Sequence, residues 1–68
     1  MDNWQKVYTT NQHHKAEIVK AVLEENDISA VVVSKKDSLY QLGNYEVYVS
    51  SENVLSAVKM INDDIHFE

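Results

Sequence analysis

The two halves of this 68-residue chain read as the same unit, strand, polar cap, amphipathic helix, strand. Val7-Tyr8-Thr9-Thr10 is answered by Val47-Tyr48-Val49-Ser50, and the helical stretch from Ala16 to Val22 by the stretch from Leu55 to Ile61. The offset drifts by one residue between strand and helix, so the relation is a structural echo and not a clean duplication. Such a chain is expected to form one antiparallel sheet with both helices on one face, because each helix must bury its apolar stripe against the layer its flanking strands build. The echo constrains architecture and leaves function open.

Period and capping supply the elements. Residues 4–9 alternate, which predicts a strand with Trp4, Lys6 and Tyr8 on one face and Gln5, Val7 and Thr9 on the other. Thr10 is a candidate cap for a first helix whose apolar set is Ile18, Val19, Val22 and Leu23, with Ala16 and Ala21 at its margins. Asn26 and Asp27 tolerate the left-handed backbone that ends many helices. A second strand is expected over residues 28–34 and a third over 45–49. Ser50 or Ser51 then caps a second helix with Val54, Leu55, Val58 and Ile61 as its apolar set, and Glu52 in its first turn. Ile65-His66-Phe67-Glu68 falls where the echo requires a fourth strand. The expected fold is α+β, a ferredoxin-like βαββα(β) sandwich forming a single domain over residues 1–68, with the first and third strands adjacent.

Composition narrows the function classes. Six lysines, no arginine and eleven acidic residues give a net charge of -5, which opposes approach to nucleic acid and to anionic membranes. No cysteine is present to staple the fold or to supply thiolate ligands. No apolar run reaches the roughly 20 residues of a membrane helix, and no leader pattern opens the chain, so a cytoplasmic location is expected. With one glycine in the chain there is no phosphate cradle, and no nucleophile elbow or paired-carboxylate motif stands out. His13 and His14 diverge by about 100° on a helix and do not converge on one ion. Neither catalysis, nor a cofactor, nor a metal is expected.

Two regions are candidates for binding. The first is the sheet face away from the helices, where Trp4, Tyr8 and Tyr48 are expected together with Lys6 and Glu46 nearby; exposed aromatics on neighbouring strands suit an oligomer or ligand interface. The second is the connection from Lys35 to Asn44, about ten residues where a simple hairpin uses two to five. It carries Lys35, Lys36, Asp37, Ser38 and Tyr40 as candidate effector contacts. Gly43-Asn44 reads as its turn into the third strand.

Several segments together resemble a small bacterial family, the prokaryotic signal-transducing proteins of unknown function with a PII-like, ferredoxin-like fold. These are Val7-Tyr8-Thr9-Thr10-Asn11, the run from Lys15 to Glu24, Lys35-Lys36-Asp37-Ser38, and Tyr48-Val49 leading into the second helix. The resemblance extends from Trp4 to about Asn62 and implies a signalling or regulatory role. It carries over no catalytic or ligand residues. Tyr40 falls in the connection that corresponds to the modified-tyrosine loop of PII proteins, whereas the basic residues that grip nucleotide there have no counterpart. Where the family commonly has glycine after the first helix, this chain has Asp27. The expected function is therefore a non-enzymatic regulatory or binding module, with a homo-oligomer through the sheet face and an unidentified protein or small-molecule effector as partners. The alternatives are single-stranded nucleic-acid binding through that face, which the acidic balance disfavours, and a small structural oligomerisation domain.

Overall fold

The computed structural model describes residues 3–37 and 42–64, and the expected fourth strand at 65–68, with Ser38 and Tyr40, lies outside them. The element order is β1 (Trp4–Thr10), α1 (His13–Glu25), β2 (Ala30–Asp37), β3 (Leu42–Ser50), a single 3-10 turn (Ser51–Asn53) and α2 (Val54–Asp64). The strands form one antiparallel sheet in the order β1-β3-β2. This is an α+β fold with the first and third strands adjacent, as expected from the sequence.

Both helices cover the same side of the sheet. Ala16, Val19 and Leu23 of α1 and Ala57 of α2 are fully buried in one cluster with Val47 and Val49 of β3 and, at its margin, Ile28 and Ala30. The buried stripe of α1 has the spacing i, i+3, i+7, one face of a helix of 3.6 residues per turn. In α2 the same spacing recurs as Val54, Ala57 and Ile61, all packed on that cluster. The stripes are narrower than the sequence predicts: Ile18 is 45% exposed, Val58 39% and Leu55 86%. Each lies about 100° beyond a neighbour packed on the cluster, and so projects off the stripe that meets the sheet.

The ends of α1 differ from expectation at one end and follow it at the other. Gln12, not Thr10, occupies the cap position and makes no side-chain cap bond; the Thr10 hydroxyl instead accepts a bond from the Gln12 amide at 3.1 Å. At the other end Asn26 donates from its side chain to the Val22 carbonyl at 2.8 Å, and Asp27 takes the left-handed conformation at φ 65°. The Ile28 amide reaches back to the Leu23 carbonyl and the Asp27 amide to that of Glu24. Those two bonds with a buried Leu23–Ile28 contact form a Schellman ending.

Two further corrections concern the strands. β2 and β3 stay paired from Ala30↔Val49 to Asp37↔Leu42, so Lys35, Lys36 and Asp37 are strand residues and not part of a long loop. Gly43 and Asn44 lie in β3 opposite Lys36 and Lys35, and do not form a turn. In β1 the register shifts between Lys6, which faces Tyr48, and Tyr8, which faces Val47. Val7 is the extra residue of a β-bulge, and past it the alternation of β1 is reversed.

Candidate functional site

The bulge decides which side chains share the face left bare by the helices. Antiparallel partners project to the same side of a sheet. Val47 and Val49 are buried beneath the helices, so Tyr8, paired with Val47 and packed on the core, lies on the helix side, as does Val7. The expected Tyr8–Tyr48 pair on the open face is therefore not formed. Without the extra residue, strict alternation would have put Tyr8 there.

The open face is built from three rows across the strands. Trp4 lies opposite Ser50; Lys6, Tyr48 and Val31 form the next row; Thr9, Glu46 and Val33 the third. Lys35 follows on β2, opposite Asn44. Trp4 and Tyr48 are half-buried and Val31 is 37% exposed. Of the sequence-predicted residues, the structure brings Trp4, Tyr48 and Lys35 onto this face.

Glu46 sits at its centre and is only 8% exposed, although it points away from the core. The Tyr48 hydroxyl, two residues along the strand, donates to Glu46 Oε1 at 2.8 Å. Lys35 Nζ from β2 lies 3.3 Å from the same oxygen, and Lys6 Nζ from β1 lies 3.5 Å from Oε2. The carboxylate thus joins all three strands on their outer surface. The Tyr48 bond above all, then Lys35 and Lys6, holds the Glu46 carboxyl below its ordinary pKa against the opposing cost of burial. An ammonium has three donors, so neither lysine is saturated by one carboxylate. The cluster carries a formal charge of +1 within an acidic chain.

The strand alternation puts Lys6 and Glu46 beside the aromatics without marking either for a role. Glu46 and Tyr48 stand at i and i+2 of one strand, which puts them on one face, and that spacing was the available signal. The contribution of Lys35 is hidden in the sequence, because the run Lys35-Lys36-Asp37 has the pattern of a loop. On the helix side, His13 lies with its ring centroid 5.0 Å from that of Tyr45 and its Nε2 3.7 Å from a Glu17 oxygen. His14 is exposed, and among the described residues no three His, Cys, Asp or Glu side chains converge as a metal site. No helix among them is long and apolar enough to cross a membrane.

A helix-covered antiparallel sheet with a charged and aromatic outer face is the form of a small α+β domain. The chain belongs to the family described as "putative prokaryotic signal transducing protein", which matches residues 4–63. No curated protein and no solved structure matches it.

Proposed function

We propose that this chain is a non-enzymatic, cytoplasmic regulatory module that recognises its effector with the open face of the sheet. The observation that carries the reading is the near-complete burial of Glu46 between Tyr48, Lys35 and Lys6 on the side of the sheet that, among the described residues, faces away from the core. Ion pairs this close to water add little to stability. Their effect is to hold two lysines and a tyrosine in fixed positions beside Trp4, which suits recognition of a protein or small molecule. A carboxyl held below its ordinary pKa is a weak base, which favours binding over proton-transfer chemistry. The β-α-β-β-α order with β1 beside β3 supports a ferredoxin-like, PII-like arrangement, and the family description supports a signalling role.

Amide and side-chain chemical shifts recorded against a panel of metabolites, nucleotides and candidate partner proteins test this reading. Binding is expected to move Trp4, Lys6, Lys35 and Tyr48 together. Perturbations confined to the helix layer would overturn it.

A further inference from the structure

Lys6 and Lys35 reach Glu46 from the two strands that flank β3, and their side chains are 49% and 59% exposed against 11% for the carboxylate between them. A group approaching the open face therefore meets two ammonium heads, with the carboxylate recessed behind them. An anion about 3 Å from each ammonium stands roughly 5–6 Å from that carboxylate. Coulomb energy falls as 1/r, so the two attractions exceed the one repulsion about fourfold. Apolar surface adjoins the lysines, because Val33 stands in the row of Glu46 and Val31 in the row of Lys6.

We propose that the effector is a protein that places an Asp or Glu side chain, flanked by an apolar residue, between Lys6 and Lys35. The inference rests on the open face being the recognition surface and adds the chemistry of the partner. Charge complementarity selects the anion. The three touching groups carry +1, so the rest of a chain of net -5 carries -6 and repels the acidic group that the lysines attract, which fixes where the partner docks. One carboxylate neutralises the cluster, whereas a phosphate near two negative charges would leave it net negative beside Glu46. A second copy presenting its own open face sets +1 against +1, which disfavours it as the occupant. Shape selects a protein over a small molecule: three strands about 4.8 Å apart make a face about 10 Å wide, and both helices lie on its other side, so neither encloses a small ligand there. Val31, 37% exposed, and Val33 receive the flanking apolar side chain.

A random dodecapeptide library displayed on phage and selected on the wild-type protein tests the partner chemistry, with the unselected library as reference. Selection is expected to enrich Asp or Glu next to aliphatic or aromatic residues. The best peptide, synthesised, should move the signals of Lys6, Lys35 and Val33. K6Q and K35Q should each weaken its binding about threefold, and both together more than either. K6R keeps the charge and should retain affinity, and K59Q, exposed on α2, should leave it unchanged. Binding should also weaken as salt is raised. Peptides that carry no acidic bias yet move the open-face signals would overturn the partner chemistry and leave the recognition surface standing. Peptides that move only the helix layer would overturn both, and a selection that enriches nothing, or affinity indifferent to K6Q and K35Q, would overturn the inference.

Discussion

Glu46 bears on both the binding face and the stability of the fold. Its folded pKa is depressed, so the stabilisation it contributes is complete above the ordinary glutamate range and is lost as the pH falls through the lower, folded value. Replacing Glu46 by Gln should therefore flatten the fall of the unfolding midpoint on the acid side of that range while leaving its shape near neutrality unchanged, as followed by urea titration at a series of pH values. Tyr48→Phe removes the strongest of the interactions that favour the charged form. It should move the Glu46 carboxyl titration upward, read by carboxyl 13C NMR, and an unmoved titration would mean that the hydroxyl bond is not made in solution. Asp27 poses a different residue-scale problem, a left-handed backbone at φ 65° without glycine's freedom. A left-handed residue with a Cβ costs roughly 1–2 kcal/mol, less for Asp than for most, so Asp27→Gly should stabilise the protein by up to about 1 kcal/mol in chemical denaturation.

The elements show where alternation and helical period were enough and where they were not. β3 reads correctly from sequence because Tyr45, Val47 and Val49 alternate with Glu46 and Tyr48 without interruption, and the end of α1 is legible in Asn26-Asp27 because the residue types that accept the required backbone are few. In β1 the pattern Trp4, Lys6, Tyr8 looks equally regular, yet the bulge at Val7 sends Tyr8 to the other side. An inserted residue is set by pairing with another strand, which one strand's own pattern does not contain. The end of β2 was hidden for a related reason: Lys35-Lys36-Asp37 lacks apolar alternation, but an edge strand has only one neighbour to satisfy and tolerates charge. In the helices the period located the stripe and overestimated its width. Leu23 and Leu55 separate these cases. Truncating the fully buried Leu23 to Ala should cost roughly 2–5 kcal/mol, whereas Leu55→Ala, at 86% exposure, should stay within about 0.5 kcal/mol of wild type by the same urea measurement. Equal costs would place Leu55 in a contact the single chain does not have.

For the whole molecule, the distribution of burial determines how it comes apart. α1 sends three fully buried side chains into the core and touches all three strands, while α2 sends one, Ala57. The sheet and α1 therefore form the cooperative unit, and α2 leans on it with the half-buried Val54, Met60 and Ile61. In small domains such an element opens locally at lower free energy than global unfolding. Native-state hydrogen exchange should accordingly show the interior amides of α2 exchanging through a low-energy opening at small denaturant concentrations. Those of α1 around Val19 and Leu23, and of β3 around Val47, should merge with the global transition. Trp4 fluorescence reports the sheet, so its urea transition should coincide with the loss of the α1 and β3 amides and not with that of α2. If α2 exchanged only through global unfolding, Ala57 and its half-buried neighbours would be as integral to the core as the α1 stripe. The helix that follows the open-face strand β3 would then be a fixed support for Glu46 and Tyr48, where the burial pattern makes it one that can detach while their cluster stays intact.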